Sequence, residues 1–232
     1  VAEYVRFRPE AVVELSALPQ QRRTLEDIAR RSGITLPVRE LSSARGGGDG
    51  APVQARVKLA TLDEGALEER IEGRSRDLIV ALDHITDPRN LGAIARSAAF
   101  FGVRELLAPE RRQVLLTQAS VATAQGGFAL TDLVCVTNLA RALEALKERG
   151  YWIIGTAMDG EPLAKVAGIY DKAVLVLGNE ESGLSQLVRQ RCDRVVRIDG
   201  SPAPGHDVGL ESLNVSVAAG ILLHAFSGRS HS

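Results

Sequence analysis

The sequence predicts an α/β protein: a large parallel-sheet domain preceded by a smaller α/β unit. Three observations carry this. From Asp77 onward, short apolar runs alternate regularly with helical patterns. Several of those runs, such as AVLVLG over 173–178, are apolar without interruption, as strands covered on both faces are. A stretch with no apolar periodicity and three consecutive glycines, SSARGGGDGAP over 42–52, separates this region from what precedes it.

Residues 1–41 read as a short strand (Tyr4–Phe7), a helix (about Pro9–Leu18) and a second helix with Leu25, Ile28 and Ala29 at core spacing. The second helix stops at Gly33, ahead of a strand near Ile34–Leu41, and Val53–Leu59 reads as one more strand. Charge-rich Asp63–Arg76 reads as a helical connector. The chain is therefore divided into a unit over 1–60, a linker over 61–76 and a larger domain over 77–232. In that domain strands are expected at Leu78–Asp83, Arg104–Ala108, Trp152–Met158, Ala173–Gly178 and Arg194–Ile198. The clearest helix is Asn138–Arg149, with Leu139, Ala142, Leu143 and Leu146 on one face and Gly150 just beyond its end. A sheet of this kind binds its ligand at the carboxyl ends of the strands.

Composition narrows the function classes. With 232 residues, 45% hydrophobic and 25% charged, the chain has the make-up of a globular protein with ample core. No apolar run reaches the roughly 18–20 residues of a membrane span, and no secretory signal pattern is seen. Cys135 and Cys192 form no CxxC pair, which argues against a disulfide framework or a zinc site and suits a cytoplasmic location. A formal net charge of −1 gives no global basic signature. A nucleic-acid partner would have to be held by local pairs such as Arg22/Arg23, Arg30/Arg31 and Arg111/Arg112, each of which also reads as a solvated face.

Three segments carry chemistry. In LDHITDPRNLGAIARSAAFFGV, Asp87 and Pro88 mark a helix start, the carboxylate capping free N–H groups and the proline sacrificing no hydrogen bond. Leu91, Ile94, Ala95 and Ala98 then face the core. Asn90 and Arg96 lie off that stripe, as cap and surface residue or as site residues. VLVLGNEESGLS is a buried strand running into a loop bounded by Gly178 and Gly183. Glu180 and Glu181 would repel a pyrophosphate there, and the GxGxxG fingerprint is absent, so a cationic or hydroxyl-bearing ligand suits the loop better. LESLNVSVAAGILLHAF becomes a largely apolar helix from Leu213 on, with Ser212 and Asn214 either capping it or aimed at a ligand.

Together and in this order, the three segments resemble the signature motifs of the SpoU (TrmH) family of RNA ribose methyltransferases. DPRNLGAIARSA corresponds to the family's N-x(5)-R motif, LGNEESGL to G-x-E-x-x-G and ESLNVSVA to S-L-N-V-S-x-A, over about Leu78 to Phe226. The first unit looks like the ribosomal-protein-like RNA-binding domain of large-subunit rRNA guanosine 2′-O-methyltransferases, and GDGAPVQARVK is similar to the junction that follows it.

The resemblance implies a C-terminal trefoil knot, an exception to the rule against knots. It also implies a homodimer with its active site at the interface, S-adenosylmethionine as cofactor, no metal, and RNA, rRNA foremost, as substrate. By position, Thr156, Ala157, Gly178, Ile198 and Leu213 would line the cofactor pocket. Arg96, matched to the family's catalytic arginine, would act with Asn90, Glu180, Ser212 and Asn214. A guanidinium is a poor base, its pKa exceeding about 12. Arg96 would therefore clamp the adjoining phosphate and polarise the 2′-hydroxyl, or else be forced neutral and accept its proton; the clamp is the default. Glu180 and Asn214 read better as organisers of loop and knot. The 2′-hydroxyl excludes DNA.

One departure from the family pattern is plain: DGSPAPGHDVGLE over 199–211 is longer than the family's loop there. His206 within it reads as solvated, and His84 as an edge contact beside the first strand's end. The same reaction on tRNA, or a catalytically silent RNA-binding factor, are the alternatives.

Overall fold

The computed structural model describes residues 1–41, 52–110, 116–201 and 212–227. The chain divides into two compact units, Val1–Ala60 and Thr61–Ser232.

The first unit runs α1 (Ala2–Phe7), a 3-10 turn (Pro9–Ala11), β1 (Val12–Ala17), α2 (Pro19–Arg31), β2 (Val38–Glu40) and β3 (Val53–Val57). Its sheet has the order β2-β1-β3, with β2 parallel and β3 antiparallel to β1. Two expectations are reversed here: Tyr4–Phe7 is helical, and the helix expected over Pro9–Leu18 is largely β1. The three-residue spacing of Val12 and Leu15 imitates a helix. Strand partners on both sides nevertheless take up the β1 backbone, and Val12, Leu15 and Ala17 are buried. α2 begins on Pro19 and is followed by Gly33 at φ +75°, a left-handed conformation that glycine adopts without strain. Leu25 and Ala29 face the core, whereas Ile28 is left 38% exposed.

The second unit runs α3 (Glu64–Ile71), β4 (Asp77–Leu82), α4 (Pro88–Phe100), β5 (Glu105–Pro109), α5 (Gln118–Ala124), β6 (Asp132–Val136), α6 (Leu139–Glu148), β7 (Trp152–Pro162), β8 (Lys172–Leu177), α7 (Gln186–Arg191), β9 (Arg194–Arg197) and α8 (Val215–Ser227). Its six strands are all parallel, in the order β6-β5-β4-β8-β7-β9. The five expected strands are present; β6 is an additional one, with Leu133, Val134 and Val136 buried. The expected connector is no free tether. Leu67 and Ile71 of α3 are buried in one cluster with Leu139, Leu143 and Leu146 of α6, and Leu62 bridges to Val134.

Strand register places the site. β8 follows β7 in the chain yet inserts between β4 and β7, so neighbouring strands connect in opposite senses, the arrangement that opens a ligand crevice. Leu82 pairs with Leu177, Gly155 with Val176 and Thr156 with Val196. Asp83, Thr156, Gly178 and Ile198 therefore lie at nearly one level, at the carboxyl ends of four adjacent strands. At the amino ends, Arg74 forks onto fully buried Glu105 at 2.8 and 2.9 Å and onto Asp77 at 3.0 and 3.1 Å. The Tyr151 hydroxyl donates to the same Asp77 at 2.6 Å.

Candidate active site at the carboxyl ends of the sheet

Three chain segments converge here, each with its own local reason. α4 begins as expected: Asp87 Oδ1 accepts from Arg89 N–H at 2.8 Å and Pro88 opens the first turn. The Arg89 N–H and guanidinium hold the Asp87 carboxyl below the usual carboxylate range. Leu91, Ile94, Ala95 and Ala98 are buried, which leaves Asn90 half-buried and Arg96 exposed.

After β8 the chain turns back tightly. Asn179 N–H donates to the Gly183 carbonyl at 3.0 Å and Gly183 N–H to the Asn179 carbonyl at 2.9 Å. Asn179 Oδ1 accepts from Glu181 and Ser182 N–H at 3.0 and 3.2 Å. Both glycines are required: Gly183 sits at φ +66°, and a Cβ on Gly178 would lie 2.4 Å from the Gly183 carbonyl carbon. Ahead of α8, Asn214 is the capping residue, its Oδ1 accepting from Ser216 N–H at 2.9 Å and Ser216 Oγ at 2.6 Å.

The three segments are joined through Glu180. Its Oε1 accepts from Asn90 Nδ2 at 3.1 Å, Asn214 Nδ2 at 2.8 Å and Val215 N–H at 3.2 Å. Asn214 Nδ2 also donates to Asn90 Oδ1 at 3.1 Å, which closes the triangle. Asn214 thus caps α8 and ties it to α4 at once, so capping and site roles coincide. Arg96 and Ser212 stand outside the triangle: both are exposed, and among the described residues neither side chain has a hydrogen-bond or ion-pair partner. Arg96 is buttressed from below, because a Cβ on Gly127 would lie 2.9 Å from the Arg96 Cα and from the Ala95 carbonyl.

The other expected positions spread along the strand ends. Thr156 Oγ1 donates to the Val176 carbonyl at 3.1 Å. Beyond it β7 leaves register with β9 until Glu161, so that Ala157, Met158, Asp159 and Gly160 bulge. Glu161 forms an ion pair with Arg194, and Arg197 donates to the Gly160 carbonyl, which anchors the bulge. Met158 is 60% exposed and Leu213 45% exposed, leaving apolar surface open. Ile198 is half-buried just after β9.

Two residues escaped sequence reasoning. Asp83 is 1% exposed. Its Oδ2 accepts from Ser185 N–H at 2.6 Å, and its Oδ1 contacts His84 Nδ1 at 2.7 Å. Asn179 Nδ2 donates to the His84 carbonyl at 3.0 Å. An acid closing an apolar strand, and an amide inside a glycine-bounded loop, were the available signals. Of the basic pairs, Arg22 is engaged by Glu26 and Glu40 and Arg30 by Asp27. Arg111, Arg112 and His206 lie outside the described residues, as does most of the long 199–211 loop.

The residues joined by Glu180 come from the three motifs, and the region holding them matches the model of the SpoU rRNA Methylase family over residues 77–224. The chain belongs to the SpoU family. A relative named 23S rRNA (guanosine-2′-O-)-methyltransferase RlmB, from Coxiella burnetii, is 40% identical over 168 residues, 72% of this chain. That match spans 65% of the Coxiella protein, just under two thirds of its length. An RlmB from Xanthomonas axonopodis pv. citri is 36% identical over 221 residues, 92% of this chain and 86% of its own. Among solved structures, the SpoU methyltransferase AviRb from Streptomyces viridochromogenes in complex with AdoMet shares the fold, with a TM-score of 0.75 at 22% identity, covering 94% of this chain and 83% of that one.

Proposed function

We propose that this SpoU-family chain transfers a methyl group from S-adenosylmethionine to a ribose 2′-hydroxyl of RNA, with rRNA as the substrate class. The observation that carries it is the Asn90–Glu180–Asn214 triangle, which unites one residue from each motif at the carboxyl ends of the sheet. The names of the two RlmB relatives, methyltransferases of a guanosine 2′-oxygen in 23S rRNA, supply the reaction and the RNA.

Thr156, Ala157, Gly178, Ile198 and Leu213 would hold the cofactor. They fit it: the bulge at Met158 and the open Leu213 offer apolar surface to an adenine and a methylene chain. Acidic Glu180 and Glu181 suit a sulfonium cation where they would repel a phosphate. When bound, S-adenosylmethionine supplies the activated methyl. Arg96 clamps the RNA phosphate next to the target ribose; an exposed guanidinium on a helix, with no partner among the described residues, is suited to that task. Asn90, Glu180 and Asn214 hold α4, the loop after β8 and α8 in fixed relation, so that the attacking oxygen is aligned with the methyl group. Ser212, exposed at the start of the third motif, would meet the ribose or base.

The same reading takes residues 1–60 as the RNA-selecting domain, the segment before and through α8 as the threaded part of a trefoil knot, a second copy of the chain as the partner completing the site, and the cytoplasm as its location.

Calorimetric titration of S-adenosylmethionine into the protein and into Leu213→Asp, at a side chain 45% exposed, tests the cofactor half of the reading. Binding that Leu213→Asp weakens in a folded protein supports it. A folded protein that binds RNA but no S-adenosylmethionine would mark a silent RNA-binding factor instead.

A further inference from the structure

Arg96 leaves α4 beside a turn that the proposed reaction does not use. α5 ends on Ala124, and the chain then passes through Gln125 at φ +45° and Gly126 at φ +95° to Gly127. Close approach lets this segment lie against α4. A Cβ on Gly92 would stand 2.8 Å from Thr123 Cβ and 3.0 Å from Ala124 N, and one on Gly127 would stand 2.9 Å from Arg96 Cα. Gly92 and Arg96 are four residues apart and so share one face of the helix. Ala124 therefore sits at the level of Gly92, and Gly127 sits at the level of Arg96, one helical turn along. Gln125 lies between them, within about 8 Å of Gly127 because consecutive Cα atoms are about 3.8 Å apart.

The fold alone does not ask for glutamine here. A side chain in the left-handed region is strained, which is why glycine, and asparagine after it, prevails at helix ends of this kind. Buried Ala124, Phe128 and Ala129 hold the backbone on either side. The Gln125 side chain is not held: it is exposed and has no hydrogen-bond partner among the described residues. Glycine would serve the turn at least as well. Strain without structural return, next to a functional side chain, is the mark of a functional position. The residue type narrows the role. A neutral amide adds little to a phosphate contact that a guanidinium already makes. Its N–H donor and carbonyl acceptor lie side by side in one plane, as the matching groups on the edge of a base do.

We infer that Gln125 is a specificity-determining residue, its amide reading the edge of an unpaired base next to the ribose that is methylated; the inference rests on the proposed methyl transfer. Arg96 holds a phosphate without regard to sequence, and Gln125, beside it on the same seam of α4, selects the base. The packing of the turn on α4 fixes the two contacts relative to one another. The base that Gln125 accepts thus decides which ribose is brought to the methyl group.

The test uses the full chain and short RNA transcripts carrying the ribose that the wild type methylates in unmodified rRNA, with the bases at and beside it replaced in turn. Wild type, Gln125→Gly and Gln125→Met are compared by kcat/KM on each transcript, by S-adenosylmethionine affinity and by melting temperature. Gln125→Gly removes the amide and the strain together, whereas Gln125→Met keeps the strain and removes the amide. The wild type should prefer the native base at one of these positions by about 10-fold or more. Both variants should bring that preference to within about twofold, with cofactor affinity unchanged. Gln125→Gly should melt at or above the wild-type temperature. A wild type indifferent to these bases, or a preference unchanged in Gln125→Gly, overturns the inference. So does a uniform loss on every transcript, which marks a contact to the RNA backbone. A loss confined to Gln125→Met, or a lower melting temperature in Gln125→Gly, marks a packing role and overturns it too. A wild type that methylates no ribose overturns the proposed function and this inference with it.

Discussion

Asn214 Nδ2 lies 2.8 Å from Glu180 Oε1, and together with the bond from Val215 N–H it fastens the start of α8 to the loop after β8. Residues 34 positions apart in the chain thereby become neighbours. Asn90 joins them from α4. The three side chains should behave as one unit. In a double-mutant cycle of Asn90→Ala and Asn214→Ala, read by denaturant unfolding of the second unit, we expect a coupling of about 0.5–1.5 kcal/mol. Additive losses would mean the triangle does not hold the three segments together.

Arg96 stands apart from the triangle, exposed and with no partner among the described residues. Its removal should cost less than about 0.5 kcal/mol of stability. Arg96→Ala should nevertheless lower methyl transfer by about 100-fold or more, as loss of one preorganised charged donor does. Cofactor affinity measured by calorimetry should be unchanged; a joint loss of turnover and cofactor binding would count against the phosphate clamp.

The amino ends of the strands carry the opposite kind of arginine. Arg74 neutralises fully buried Glu105 as well as Asp77, and these carboxylates in turn hold its guanidinium well above the ordinary arginine range. Arg74→Ala leaves buried Glu105 with only the longer contact to Arg70, at 3.8 Å, and removes the cation from Asp77. Urea titration should show a loss of about 3–5 kcal/mol, with no selective effect on cofactor affinity in the folded fraction.

In the first unit, the hydroxyl of Tyr4 is buried with no hydrogen-bond partner among the described residues. Burial pushes it up from 10.0 to about 12. The folded state therefore favours the neutral phenol. Its contribution is intact below pH 10, where the unfolded phenol is also protonated, and is lost as pH rises toward about 12. Tyr4→Phe should stabilise this unit by up to about 1–2 kcal/mol at neutral pH and remove that alkaline loss. Thermal unfolding at neutral and alkaline pH checks both.

The second unit was legible where burial leaves a pattern. Continuous apolar runs such as AVLVL marked strands covered on both faces, and Asp87-Pro88 marked the start of α4. Residues 4–17 misled because Val12 and Leu15 stand at helical spacing while β2 and β3, both later in the chain, decide their conformation. The site residues were recognisable one motif at a time. Their contacts were not, since Asn90 and Asn214 are 124 positions apart and only the insertion of β8 between β4 and β7 brings the loops together. Asp83 and Asn179 left only weak signals, an acid closing an apolar strand and an amide inside a glycine-bounded loop, because the contacts they make join segments some 100 positions apart.

The most direct test of the central claim is to incubate the protein with isotopically labelled S-adenosylmethionine and unmodified rRNA, digest the RNA to nucleosides and locate the label by mass spectrometry. The account predicts label on a ribose 2′-oxygen, reduced by about 100-fold or more with Arg96→Ala. Label on a base, or no label from a folded protein that binds both cofactor and RNA, would contradict it.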